Sequence, residues 1–206
     1  MNAVAQDMEN HRAHCDRADA VARAVLDAVP EAGRLTVLDY GCGSGDVSLS
    51  LAGRFGHVIL ADSDPSVVKA AADTTCDVRN ASVRLLDLTK DVPGDLRADI
   101  VLSAMSWHHI RDLGALLDAF STVVPGGRLF VADLDADGGA YHADQPDFDG
   151  HNGFDRTRLV QFVAAHGCTT VTVSDLWHGH HWANGRRSPA SVFLLQATLP
   201  SDRFLL

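Results

Sequence analysis

The stretch TVLDYGCGSGDVSLSLA, from Thr36 to Ala52, runs a short apolar strand into a glycine-rich turn and then into a helical segment. A chain that repeats this order with short links has few folds open to it. Parallel strands need crossover connections, and the crossover helices must cover both faces of the sheet. The repetition is there. HVILAD (57–62) reads as a second strand, and PSVVKAAAD as a helix with Asp64 as N-cap and Pro65 at its first position. SVRLLDL, ADIVLSA and RLFVADL read as further strands, with DLGALLDAFSTVV as the helix between the last two. DRTRLVQFVAAHG reads as a helix, CTTVTVSDL as a strand and ASVFLLQAT as the final strand. Right-handed crossovers make this an α/β, doubly wound, Rossmann-like sheet.

Three regions stand outside that rhythm. In the N-terminal segment 1–33, read as a helical cap, the helical spacing of Val21, Val25, Leu26 and Val29 predicts a helix over 18–29. The run 134–153 is acidic and glycine-rich, and 176–189 is a polar, histidine-rich connection. Both are expected to be loops that build an acceptor site above the sheet. No linker divides the chain, so residues 1–206 are read as a single domain.

A formal net charge of -10 argues against a phosphate-rich partner, and no basic stripe suggests nucleic acid. The first residues hold acids and lack the apolar stretch of a signal peptide, and no apolar run approaches the ~20 residues that span a bilayer. Cys15, Cys42, Cys76 and Cys168 form no paired motif. Together these features predict a cytoplasmic protein with no membrane partner; they say nothing of oligomeric state.

The glycine turn selects the ligand. A dinucleotide loop, G-x-G-x-x-G, would continue from Gly41 and Gly43 to a glycine at position 46, which is Asp46 here. With Asp39 at the strand end, two acids would flank a pyrophosphate, which electrostatics disfavours. A ligand without phosphate that carries positive charge fits better, and S-adenosylmethionine is one. Asp39 would orient its ammonium. Asp62, about 20 residues past the loop, would take both ribose hydroxyls. Asp87 would accept from the adenine amino group, with the Leu88 amide nearby.

VLDYGCGSGDVSLSLA, VILADSDPSVVKAA, LLDL, ADIVLSAMSWHHIRDLGALLDAF and VVPGGRLFVADLD resemble the successive motifs of class I S-adenosylmethionine-dependent methyltransferases. The likeness is strongest to the bacterial small-molecule branch that includes the ubiquinone and menaquinone biosynthesis enzymes, and it covers roughly Val37 to Asp135. It implies seven strands ordered 3-2-1-4-5-7-6, the last antiparallel. It also implies cofactor contacts from Gly41, Gly43, Asp62, Ser63, Asp87, Leu88 and the strand end near Ser103. Position 63 is Ser where the family usually has a larger apolar residue, and the segment before the first helix is unusually polar.

The expected reaction is in-line transfer of the sulfonium methyl to a small-molecule acceptor, leaving S-adenosylhomocysteine. The alternatives are a non-catalytic S-adenosylmethionine-binding protein, or a methyltransferase acting on protein or RNA. Candidates for a general base are His109, His108 and Asp133, with His142 and His151 in the 134–153 loop. The run from Asp133 to Gly138, with Asp144 in twelfth place, nearly spells a calcium loop, but that place normally holds glutamate and the run follows a strand rather than a helix. His178, His180 and His181 have no accompanying carboxylate or thiolate at a ligand spacing, and Arg186 and Arg187 follow closely, so they read as a solvated hairpin. No metal is assigned from the sequence.

Overall fold

A computed structural model describes residues 2–201. One seven-stranded sheet runs in the order β3-β2-β1-β4-β5-β7-β6. Its strands are β1 (Thr36–Tyr40), β2 (His57–Asp62), β3 (Ala81–Leu85), β4 (Ile100–Ala104), β5 (Arg128–Leu134), β6 (Thr169–Ala183) and β7 (Arg186–Thr198). β7 alone runs against its neighbours, pairing antiparallel with both β5 and β6. The helices are α1 (Ala3–Ala28), α2 (Asp46–Ala52), α3 (Pro65–Thr74), α4 (Leu113–Val123) and α5 (Arg156–Ala165). The strand order reverses direction between β1 and β4, and a crevice opens there at the carboxyl ends of the strands.

Neighbouring residues on each strand point to opposite faces, and both faces are covered. Val37, Val58, Leu60, Ile100 and Leu102 pack with Val21 and Val25 of α1 and Leu51 of α2. Leu38, Ile59, Val101 and Val131 pack with Leu116 and Phe120 of α4 and Val163 of α5. Acids set the starts of α3, α4 and α5. Asp64, Asp112 and Asp155 accept from the amides of Ser66, Ala115 and Arg158 at 2.7, 2.8 and 2.9 Å.

Three expected boundaries move. The first helix begins at Ala3, not near residue 18. Its first half makes polar rather than apolar contacts, so hydrophobic spacing cannot register it. Asn10 gives and takes hydrogen bonds with the Trp182 backbone at 3.0 and 2.9 Å, and Glu9 accepts from Trp182 Nε1 and Arg187. The run 176–189, expected as a loop, is instead strand, folded as a long ribbon of β6 and β7 around Asn184-Gly185. Both turn residues have positive φ, at 49° and 71°, the conformation that an Asn-Gly hairpin turn supplies. β3 ends at Leu85, so Asp87 lies in the following loop. No helix among the described residues is long and apolar enough to cross a membrane.

Phe120 anchors one core layer, with its ring edge-on to Tyr40 at 5.4 Å and beside Trp107 at 6.5 Å. Phe120→Ala should lower unfolding free energy by about 3–5 kcal/mol, read as a lower urea midpoint at unchanged slope.

Candidate functional site

The turn after β1 is held against the turn after β4. The Ser103 hydroxyl donates to the Tyr40 carbonyl at 2.8 Å and shares a 2.6 Å hydrogen bond with Ser106, which also reaches that carbonyl. Gly41, at φ +73°, lies so close that a Cβ would collide with the Ser106 side chain. Only glycine fits there. The amides of Gly41 and Cys42 both donate to the Ala61 carbonyl, which draws the turn over the end of β2.

Two connected spaces result. The first is a groove of about 850 Å3 lined by Gly41, Gly43, Asp62, Ser63, Asp87 and Thr89. The second is a cavity of about 320 Å3 lined by Asp39, Arg17, Tyr141, His108, His109 and His142. Gly41, Gly43, Met105 and His109 border both, so the spaces meet at the tips of β1 and β4.

In the groove, Asp62 accepts from the amides of Gly43 at 3.4 Å and Asp64 at 3.1 Å, which fixes its carboxylate. Asp87 accepts from the Thr89 amide and hydroxyl and pairs with Lys90 at 2.8 Å. Partial burial works to raise its carboxyl, but these partners hold it below the usual carboxylate range. Ser63 stands on the groove wall. Leu88 and Ser103 line neither space. The Leu88 amide is committed to the Tyr40 hydroxyl at 3.0 Å, and Ser103 is fully buried beneath the turn. Burial pushes that Tyr40 hydroxyl up to about 12.

The cavity lining holds charge of both signs. Asp39 is buried and accepts from Ser48 at 2.6 Å. Burial raises its carboxyl to about 6, the Ser48 hydrogen bond opposes that rise, and Asp62 adds to it. Arg17 lines the same cavity, 6% exposed, with its guanidinium 5.1 Å from the Trp177 ring and 5.9 Å from Tyr141. Its Nε and Nη1 have no hydrogen-bond partner. The sequence signal for Arg17 was weak but present: Ala13, Arg17, Ala18 and Val21 share one helix face, so the arginine interrupts a buried stripe. His14, beside it, pairs with Asp46 at 2.9 Å and ties α1 to the start of α2.

The remaining wall is aromatic. His108 and Asp133 are both buried, with Nδ1 2.5 Å from the carboxylate, so the other ring nitrogen is left for the cavity. Asp133 also accepts from the His108 and Leu134 amides. His109 stands at the rim. Partial burial and the neighbouring rings of His108 and His142 push it down to about 4. His142 stacks on Phe148 at 3.8 Å, and burial with nearby His108 lowers it as well. His151 faces away from both spaces, bonding the Ile110 carbonyl through its ring and the His108 carbonyl through its amide.

The acids of the near-calcium loop are used separately. Asp133 holds His108, Asp135 holds Arg156 through two hydrogen bonds, and Asp137 caps the amides of Gly139 and Tyr141. The hairpin histidines also part company, with His181 stacked on Tyr141 at 4.0 Å and His178 near Asp175.

The comparisons bear on this geometry. A ribosomal protein L11 methyltransferase of Photobacterium profundum is 34% identical over 100 residues, 47% of this chain and 33% of that protein. A ubiquinone biosynthesis O-methyltransferase of Xylella fastidiosa is 32% identical over 105 residues, 48% of this chain and 41% of that protein. The chain thus spans between about a third and two-fifths of the length of these curated relatives. Magnesium protoporphyrin IX methyltransferase from Synechocystis, solved with bound S-adenosylhomocysteine, shares the fold at TM-score 0.67 and 18% identity, covering 96% of this chain and 87% of its own. A methyltransferase-domain family model matches residues 10–173, most of the chain. With a seven-stranded sheet in the expected order and an acid-lined crevice at its switch point, the chain belongs to the methyltransferase-domain family.

Proposed function

We propose that the chain binds S-adenosylmethionine across the two spaces and passes its methyl group to a small-molecule acceptor. The observation that carries this is the distribution of charge along one continuous crevice. Two carboxylates, Asp62 and Asp87, line the wider groove, and an acid, Asp39, and a buried base, Arg17, whose Nε and Nη1 have no hydrogen-bond partner, line the narrower cavity. A nucleoside joined to an amino acid has hydroxyls and an amine at one end and a zwitterion at the other. Asp62 takes the ribose hydroxyls and Asp87 the adenine amino group. Asp39 takes the ammonium and Arg17 the carboxylate, which gives hydrogen-bond partners to the two buried guanidinium nitrogens that lack them. Gly41 and Gly43 give the backbone closeness to the sulfonium between them.

The protein then has to place an acceptor atom in line with the S–CH3 bond, with the developing charges already answered. The histidine wall, beside the shared border of the spaces, is where the acceptor meets the methyl and where its proton departs. Asp133 acts there as a positioning residue for His108. The small cavity and its cover by α1 and the 141–145 segment favour a small acceptor. A protein acceptor is the second reading, favoured by the L11 methyltransferase relative. The unpaired thiols of Cys15, Cys42, Cys76 and Cys168 fit a cytoplasmic setting.

Calorimetry with S-adenosylhomocysteine should give one site per chain. Asp62→Ala should weaken it about 10–100-fold, the loss expected for hydrogen bonds to a charged group; unchanged affinity would remove the ribose assignment.

Asp39 gives the pH dependence. The ligand's ammonium favours the carboxylate, whereas the free protein holds a carboxyl titrating at about 6. Binding therefore expels a proton on the acid side, and affinity should tighten as pH rises through about 6 and then level. Asp39→Asn should flatten that slope. The stability of the free wild type moves in the opposite direction. Its folded value lies above the ordinary 3.8, so stability is lost as pH rises from 3.8 to about 6.

Radiolabelled S-adenosylmethionine incubated with separated metabolite and protein fractions of a cell extract decides the acceptor class. Label is expected in the metabolites; label confined to protein would establish the second reading instead.

A further inference from the structure

Three imidazoles converge on the cavity wall with no shared acid to explain them. Candidate ligand nitrogens of His108, His109 and His142 all lie within 4.8 Å of one another. The rings come from two elements, the turn after β4 and the loop after β5, so their meeting is a tertiary arrangement rather than a helix-face coincidence. His142 is 6% exposed; the Gln145 side chain acts on its ring, yet neither ring nitrogen has a hydrogen bond of good geometry. Buried polar atoms are almost always satisfied, so an orphaned imidazole inside a cavity indicates a missing partner. His108 shows the complementary sign: its Nδ1 is held by buried Asp133 at 2.5 Å, the carboxylate–histidine arrangement that orients a metal-binding ring and directs the other nitrogen outward.

We propose that His108, His109 and His142 bind a divalent transition metal ion of the zinc or cobalt type, with an open coordination position facing the methyl-transfer cavity. Three neutral imidazoles with an open fourth place are a donor set suited to zinc, and imidazole also suits cobalt, iron and nickel. The present spacing is wider than the ~3.4 Å between nitrogens on a tetrahedral zinc at ~2.05 Å. Closing it needs ring rotations of about an ångström, and His109, at the rim, is the ring with room to make them. The loop bearing His142 is kept close by the His151 amide, which donates to the His108 carbonyl at 2.7 Å, and by Gly150, where a Cβ would collide with the same carbonyl. The hairpin histidines offer no comparable group among the described residues.

The open position selects an acceptor with an ionisable hydroxyl or thiol. A metal held by the three imidazoles would lower the pKa of such a group, so that its proton would pass to solvent at neutral pH. The acceptor's lone pair forms the new bond to the methyl carbon. The S–CH3 bond breaks with both electrons going to sulfur, and the sulfonium becomes the neutral thioether of S-adenosylhomocysteine. This chemistry rests on the methyl-transfer reading; the metal site itself does not.

The test uses the full chain stripped with chelator and titrated with Co2+ by visible absorption and with Zn2+ by calorimetry. One equivalent per chain is expected, with the intense ligand-field bands of four- or five-coordinate cobalt. His109→Ala, at the exposed rim, and His142→Ala should each weaken binding at least about 10-fold, and Asp133→Asn about 10–100-fold with the cobalt spectrum altered. Circular dichroism confirms that each variant is folded, and His109→Ala carries the test should a buried variant fail to fold. No saturable binding, or affinity unchanged in His109→Ala, overturns the site. S-adenosylhomocysteine calorimetry runs alongside. Cofactor binding without cobalt binding overturns the metal and leaves methyl transfer standing; cobalt binding without cofactor binding does the reverse.

Discussion

Everything in the crevice depends on how closely the turn after β1 meets the turn after β4. Two serine hydroxyls, Ser103 and Ser106, converge on one carbonyl, that of Tyr40, and Gly41 fits against Ser106 because it has no side chain. The carbonyl would otherwise end a parallel strand with an unmet acceptor at the point where the sheet changes direction. Satisfying it from β4 pins the two strand tips together, and the loops then diverge to opposite faces. The gap they leave is where Asp39, Asp62 and Asp87 gather. A looser junction would let the glycine turn drift and separate the carboxylates that define the ligand's two ends.

The second dependence is on the cover. The first half of α1 is held to the β6–β7 ribbon by polar contacts between Asn10, Glu9, Trp182 and Arg187, beside the apolar packing of Val21 and Val25 in one cluster with Val192 and Leu194. That contact brings Arg17 over the cavity and packs Tyr141 between Arg17 and His181. Electrostatics inside the cavity then follow from enclosure. The same burial that raises Asp39 lowers His142 and His109, so the free protein keeps its acid side and its imidazole side nearer to neutral than solvent would. A zwitterionic or cationic ligand restores the charges that burial suppresses.

The sheet was readable because its central strands are largely apolar and three of its helix starts carry Asp caps, and each of those is a local signal. Asp62 was readable for the same reason, since it ends β2 and lines the groove, whereas Asp87 reaches the same groove from the loop two residues past β3. Leu88 shows the limit of that logic. Its position in the motif is right, yet its amide is taken by Tyr40 of β1, two strands away in the sheet. The 176–189 ribbon shows another limit, since its polar alternation is shaped by contact with a polar helix, and hydrophobic spacing cannot report such a contact.

The sequence by itself determined the doubly wound sheet, the lack of the dinucleotide fingerprint's last glycine at position 46, and the acids at or just past the ends of β1, β2 and β3, because those follow from short-range pattern and fixed strand direction. Tertiary structure alone decided that Arg17 would be a buried cation on the cavity wall, that Asp133 would grip His108, and that His142 would fold back from a glycine-rich loop to join His108 and His109. Those contacts join residues 25 or more apart through packing across elements. No periodicity in the chain encodes such a meeting; it exists only once the core has fixed where each loop must return.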